Sequence, residues 1–347
     1  MPGASARSRL ADLEYFEPLG LLDGPAAFAA IRDGLALPLQ GGPIAFTLLR
    51  DAEGRWRPLE DAPEALTRAP PPFARIQRHQ ARPLVMGIVN CTPDSFSGDG
   101  LGATHAAAIT QGLAMLDDGA DLLDIGGEST RPGAAPVPPE EEQARILPVI
   151  RELAKAGPIS VDTRNARTMA AALEAGAEIV NDVSALRHDG DSLRVLQQAR
   201  CPVVLMHART IDPRTMQADI HYEDAALEVA RFLEGRVATL EALGIPRSRI
   251  AVDPGIGFGK RVQDNLDQVT RLPMLASLGC TILVGASRKA FIGRITGVEA
   301  AGERVIGSVA IALAAAAAGA HMVRVHDVAA TVQALRMQEA IRAGWSE

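Results

Sequence analysis

From Leu84 onward, short apolar runs alternate with longer amphipathic stretches, and this alternation constrains the chain more than any other feature. The runs are LVMGIVN (84–90), DLLDIGG (121–127), ISVDT (159–163), EIVNDVSA (178–185), PVVLMHA (202–208), IAVDPGI (250–256), TILVGAS (281–287) and MVRVHD (322–327). Between and after them, helical periodicity covers 106–118, 139–156, 164–175, 191–199, 224–243, 264–270, 303–318 and 329–343. Near-continuous apolar strands separated by helices are the pattern of parallel strands covered on both faces. Eight such units in about 260 residues match a closed (β/α)₈ TIM barrel. The rival, a doubly wound open sheet, should place a Gly-rich dinucleotide turn after the first strand. Cys91-Thr-Pro-Asp-Ser-Phe stands there instead.

The 347-residue chain has room for more than the barrel. Residues 1–68 carry their own apolar content and read as a small α+β extension. Within it, PIAFTL (43–48), the turn at 51–54 and the segment 55–59 suggest a hairpin, and 28–35 suggests a helix. Residues 69–83, APPPFARIQRHQARP, read as a Pro-rich linker to a barrel over 84–347.

Aromatic residues make up only 3% of the chain, so the core must rest on Ala, Val, Leu and Ile. The net charge of −7 comes with no Lys/Arg run, which argues against nucleic acid as a partner. An anionic substrate would therefore need a local cationic pocket. Cys91, Cys201 and Cys280 are far apart and odd in number, against a disulfide framework or a CxxC metal site. Cys201 and Cys280 read as buried strand residues. The N-terminus lacks a signal-peptide pattern, and no run reaches the ~18 apolar residues of a membrane span. The expected location is the cytoplasm.

Each apolar run carries a polar residue at or near its C-terminal edge: Asn90, Asp124, Asp162, Asn181, His207, Asp253, Ser287 and the pair Arg324/His326. Barrel active sites are built on that edge. Taken singly, each has a plain structural reading. Asp162 could cap the next helix, Asn181 could bond nearby backbone, and Asp253 could start a turn. Jointly they converge on one barrel mouth. Asp162, Asn181 and Asp253 suit a flat heterocycle with several N–H donors, because buried polar groups need matching partners. Lys289 and Arg324, with His326 beside them, form a candidate anion site next to the helix start after Ser287. A salt bridge to a nearby Asp is the plain alternative for Arg324. The loops 91–103 and 128–138 are long and rich in Gly, Pro, Ser and Thr, as lids and substrate clamps often are.

The same residues carry a family resemblance. NCTPDSFSGDG (90–100), GGESTRPGA (126–134), SVDT (160–163), IVNDVSA (179–185), DPGIGFGK (253–260), GASRKAFIG (285–293) and RVHDV (324–328) resemble, in order, the motif set of the dihydropteroate synthases, pterin-binding TIM-barrel enzymes. The resemblance implies a Mg²⁺-dependent transferase of folate biosynthesis. It would condense (7,8-dihydropterin-6-yl)methyl diphosphate with 4-aminobenzoate. By motif, Asn90 is similar to the Mg²⁺-contacting residue. Asp162, Asn181, Asp253 and Lys289 match the pterin site, with Asp162, Asp253 and Lys289 nearest the chemistry. Asn90, Thr130, Arg131, Arg324 and His326 fall at the diphosphate. Thr130, Pro132, Phe258, Ser287 and Lys289 fall at the aminobenzoate. A homodimer through barrel helices is also implied.

The chain departs from the family pattern at Ala208-Arg209-Thr210 after the fifth strand, at Ala290 and at Cys91, none of which is assigned to charge handling. Two other functions compete. A pterin-dependent methyltransferase would share Asp162, Asn181 and Asp253 but needs no anion site. A non-catalytic pterin-binding paralogue should have lost anion-site residues, and none is lost.

Overall fold

The computed structural model describes residues 15–70, 73, 82–92, 101–129, 136–210 and 220–343, the side chains of 101–104 aside. Eight parallel strands close into a barrel in chain order: β5 (Leu84–Asn90), β6 (Leu122–Gly126), β7 (Ile159–Asp162), β8 (Ile179–Asp182), β9 (Val203–Met206), β10 (Ile250–Asp253), β11 (Thr281–Val284) and β12 (Met322–Val325). β12 returns to β5 with Met322 beside Leu84 and Val325 beside Gly87. This is the (β/α)₈ barrel that the alternation of runs predicts, and each strand lies within its apolar run.

Around it lie α3 (Leu101–Asp117), α4 (Pro139–Leu153), α5 (Ala166–Glu174), α6 (Ser192–Ala199), α7 (Ala225–Ala242), α8 (Val262–Thr270), α9 (Ala290–Thr296), α10 (Val305–Ala317) and α11 (Val328–Ala343). The short α9 is the helix whose start the sequence places after Ser287. Successive strand residues face opposite ways. One set, including Val85, Leu123, Val161, Val180, Leu205, Val252 and Val323, joins the large core under the helices. The other set fills the barrel interior with Leu84, Met86, Leu122, Ile179, Val204, Ala251, Leu283 and Met322.

The N-terminal part forms a four-stranded antiparallel sheet: β1 (Phe16–Leu22) on β3 (Ala45–Asp51), which also pairs β2 (Leu37–Pro38) and β4 (Trp56–Arg57). Helices α1 (Gly24–Arg32) and α2 (Glu64–Thr67) accompany it. The hairpin expected from 43–59 is β3–β4, and the expected helix is α1, shifted toward the N-terminus. The sheet shares the large core with the barrel, because Phe16, Leu39, Phe46, Leu49 and Leu66 pack into it. A 3₁₀ helix, Leu272–Leu278, is buried along its whole length. Ser277 Oγ donates to Phe16 O (3.3 Å), and Gln40 Nε2 reaches both Ala276 O and Cys280 O at 3.4 Å.

Most of 69–83 lies outside the described residues. Among its described residues, Phe73 and Arg82 anchor it. Phe73 is 1% exposed and packs with the interior ring of Leu84, Met86 and Leu122, so it plugs the barrel floor. Burying such a ring contributes about 2–3 kcal/mol. Arg82 pairs with Asp121 (2.8 Å), whose Oδ2 also accepts from Val85 N (2.7 Å) where the first barrel strand begins. The three cysteines are buried. No helix among the described residues is long and apolar enough to cross a membrane.

Candidate active site

The mouth follows from strand periodicity. Two residues beyond the apolar interior layer, the same strand faces turn polar. Leu122 is followed by Asp124, Ile179 by Asn181, Ala251 by Asp253 and Met322 by Arg324, while β7 passes from Ser160 to Asp162. Side chains two apart share a face, so these groups crowd the upper interior of one barrel. Asp124 is fully buried, and Asn181 and Asp253 are 5% and 6% exposed.

Arg324 is the centre of this cluster. Its Nε donates to Asp124 Oδ2 at 2.6 Å and its Nη2 to Asp162 Oδ2 at 2.7 Å. Asn181 Nδ2 donates to the same Asp124 oxygen at 2.9 Å. The salt-bridge alternative for Arg324 is thus realised, twice over, yet a guanidinium has five N–H donors and these bonds use two. Two carboxylates therefore converge on one cation, and Asn181 joins them through Asp124. Asp124 Oδ1 is buried and takes no hydrogen bond from the described residues. Burial raises the Asp162 carboxyl to about 7, against the pull of Arg324 and with a further push from Asp124, Glu142 and Asp182. Asp162 is not a helix cap: α5 begins at Ala166, whose N–H goes to Asp189 Oδ2 (2.9 Å).

Asp253 opens the 253–260 loop. Its Oδ1 accepts from Gly255 N at 2.7 Å, so the turn-starter reading is correct as far as it goes. Its other oxygen faces Gly285, where a Cβ would lie 3.5 Å from Asp253 Oδ2 and 3.7 Å from Arg324 Cβ. That glycine on the β11 side leaves carboxylate and guanidinium stem side by side. Burial raises Asp253 to about 6, opposed by the Gly255 N–H and by Lys289, Lys260 and Arg324. Gly255 (φ +65°) admits no side chain, because a Cβ would stand 1.9 Å from His207 O.

Lys289 places its Nζ 3.9 Å from the centroid of the Phe258 ring, a cation–π contact. Burial and Arg324 bring this lysine down to about 8, while Asp253 and Asp162 hold it up. Ser287 Oγ accepts from His326 N (3.1 Å) and lies 3.0 Å from His326 Nδ1. His326, which the sequence sets beside Lys289 and Arg324, brings no charge of its own. Burial, together with Arg324 and Arg288, takes His326 down to about 3, so it is a neutral imidazole. Arg288 is turned to Asp327 (Nε–Oδ2 3.0 Å) and does not add to the mouth.

Nine of the twelve sequence-predicted site residues are described. The structure joins Asp162, Asn181 and Arg324 through Asp124, and brings Asp253, Lys289 and Phe258 to the same mouth, with Ser287 and His326 on its β11–β12 side. Asn90 stands half-buried at the end of β5, opposite Gly126, and makes no hydrogen bond to the others among the described residues. Thr130, Arg131 and Pro132 lie outside the described residues. Sequence reasoning gave no role to Asp124, although its position at a strand edge marked it. It also passed over Lys260, a buried lysine in the 253–260 motif. Of the departures from the family pattern, Arg209 lies over Tyr222 (5.4 Å) and donates to His221 O, at the loop edge, while Cys91 is simply buried.

A groove of about 390 Å³ lies elsewhere, between β1 and the ends of α8 and α10, lined by Leu21, Leu22, Val269, Thr270 and Ala314. Its one carboxylate, Asp23, is tied to Arg342 (2.7 Å), so it lacks the convergent free polar groups of the mouth.

Fold and site together define a parallel-barrel enzyme that holds an anion and a polar heterocycle at the C-terminal ends of its strands. The model of the family described as "Pterin binding enzyme" matches residues 86–326. Dihydropteroate synthase of Neisseria meningitidis serogroup B is 49% identical over 266 residues, covering 75% of this chain and 93% of that protein. Two structures of the Xanthomonas albilineans dihydropteroate synthase align closely. The one with 4-aminobenzoic acid has 50% identity and a TM-score of 0.71, and the one in complex with 7,8-dihydropteroate has 48% and 0.69. Each covers 76% of this chain and 94% of that one. The chain belongs to the pterin-binding enzymes and, within them, to the dihydropteroate synthases.

Proposed function

We propose that the mouth condenses (7,8-dihydropterin-6-yl)methyl diphosphate with 4-aminobenzoate, giving 7,8-dihydropteroate and diphosphate. The observation that carries this is the single cluster of Asp124, Asp162, Asn181, Asp253, Lys289 and Arg324 at the strand ends. The C–O bond to diphosphate breaks, the amine nitrogen bonds the freed methylene carbon, and the amine gives up one proton to the departing diphosphate or to water. As the C–O bond opens, positive charge spreads into the pterin. Buried carboxylates already fixed in place stabilise that charge without reorganising. Asp162, Asn181 and Asp253 read the N–H groups of the ring. Arg324 and Lys289 offset the charge on the diphosphate side, with His326 and Ser287 as neutral partners. Thr130 and Arg131 complete that side, and Thr130, Pro132, Phe258, Ser287 and Lys289 receive the aminobenzoate. The nucleophile is an uncharged aromatic amine, so it needs positioning more than a base.

Mg²⁺ belongs to this reading. Such an ion keeps waters and takes most of its ligands from a substrate diphosphate, so Asn90 as one neutral oxygen would be enough from the protein. Bound there, it would neutralise leaving-group charge. The chain works in the cytoplasm on small molecules, without nucleic acid. We further infer a homodimer through the outer helices, where Ile295, Ile306, Met337 and Ile341 are exposed. Retention of Arg324 and Lys289 favours synthesis over a methyltransferase or a silent paralogue. Incubating purified protein with the pterin diphosphate, 4-aminobenzoate and Mg²⁺ should yield dihydropteroate and diphosphate in equal amounts. Absence of both products would overturn the proposal.

A further inference from the structure

Lys260 is 4% exposed and lies behind the mouth. Its Nζ is 2.9 Å from His207 Nδ1, 2.9 Å from Gly255 O and 3.3 Å from Phe258 O. Burial brings Lys260 down to about 7, with Asp253 and Asp264 holding it up. In its ammonium form it has three N–H donors, and here three acceptors meet them. Burial, Lys260 and Arg187 keep His207 well below its ordinary value, so its ring is neutral, and the tautomer with its proton on Nε2 leaves Nδ1 to accept. Two of the acceptors belong to one loop and the third to the end of the neighbouring strand. The loop is also tied by Gly255 N to Asp253 Oδ1 (2.7 Å), Phe258 N to Gly255 O (3.1 Å), Gly257 N to Asn265 Oδ1 (2.6 Å) and the Tyr222 hydroxyl to Gly259 O (3.1 Å). The ring of Phe258 is the surface on which Lys289 rests.

We infer that Lys260 is a positioning residue: it staples the 255–258 turn to His207 and so fixes the Phe258 ring under Lys289 where the amine substrate is received. It acts through Phe258 and touches no reacting atom. The inference rests on the synthase reading, and its test separates the two. Steady-state kinetics would compare wild type, Lys260→Met, Lys260→Arg, Phe258→Ala and the double variant Lys260→Met/Phe258→Ala. Lys260→Met should raise KM for 4-aminobenzoate about 10- to 100-fold, the range for a small misplacement of a positioning group, with a smaller change in kcat. Lys260→Arg, which keeps charge and donors, should recover part of that loss. On the Phe258→Ala background, Lys260→Met should change KM less than twofold, because the surface it holds is gone. Should Lys260→Met fail to fold, His207→Asn takes its place in the same cycle, with a weaker effect in the same direction. A folded variant with wild-type KM and only a lowered Tm overturns the inference, as do effects that multiply in the double variant. Wild type that makes no dihydropteroate overturns the synthase reading and this inference with it.

Discussion

The N-terminal sheet and the barrel mouth both hold buried carboxylates, but they treat them in opposite ways. In the sheet, Glu17 is 2% exposed and has an arginine on each oxygen: Arg50 (Nε–Oε2 3.1 Å) and Arg271 (2.8 Å). Asp51 takes bonds from Glu53 N, Arg55 N and Arg55 Nε. Burial would raise Asp51, but the Arg55 bonds outweigh it and hold the carboxyl below its ordinary range. In the mouth the ratio is inverted. Arg324 alone serves Asp124 and Asp162, Asp253 lies beside it, and the carboxyl of Asp162 is driven up. The sheet supplies each carboxylate with enough donors to settle it. The mouth leaves its carboxylates short of donors, which is stabilising only once a ligand brings N–H groups and positive charge. Structural and functional ion pairs thus differ here in stoichiometry, more than in distance or burial.

Substitutions on the two sides should separate these roles. The largest effect is expected for Arg324→Ala, which should lower kcat/KM for the pterin diphosphate by about 10³-fold while the circular dichroism spectrum stays native. An activity within twofold of wild type would place the anion elsewhere. Next, Asp162→Asn should cut kcat by about 100-fold. It should also change stability with a definite sign. The folded value of Asp162, about 7, lies above the ordinary value for aspartate, so the folded chain holds the extra proton between the two. Its contribution is full at low pH and is lost as pH climbs from about 4 to about 7. The Tm of Asp162→Asn relative to wild type should therefore rise across that window, and a flat difference would contradict the inverted ratio. Smallest for activity is Glu17→Ala. It removes the acceptor shared by Arg50 and Arg271, should cost about 2 kcal/mol in urea unfolding, and should leave kcat within twofold where the protein is folded. A large kcat loss with no stability change would mean the sheet takes part in turnover.

Much of the barrel was legible because one physical signal repeats eight times: an apolar run that ends in a polar residue. The same period placed Asp162, Asn181, Asp253 and Arg324 together before any coordinates. The sheet was only half legible. β3 and β4 flank an obvious turn, but β1 carries Pro18 and Gly20 in FEPLGLL, residues that weaken strand propensity, and its existence depends on pairing with β3. The sharing of a core between sheet and barrel is likewise a tertiary fact, invisible in a segment with its own apolar content. Charges were harder than positions. His326 reads as a cation by type, and only its burial beside Arg324 and Arg288 makes it neutral. Asp124 stood in plain sight at a strand edge, but its orphaned oxygen and its bond to Arg324 come from the closure that sets β12 two strands away from β6. Lys260 belongs to a visible motif, while its partner His207 lies 53 positions earlier in the chain.

The inverted ratio can be read directly from carboxyl carbons. In ¹³C-labelled protein, aspartate carboxyl signals would be followed from acid to neutral pH, with Asp162→Asn and Asp51→Asn spectra providing the assignments. The account predicts that Asp162 titrates near 7 and Asp51 below the ordinary aspartate range. Two signals titrating together at the ordinary value would contradict it.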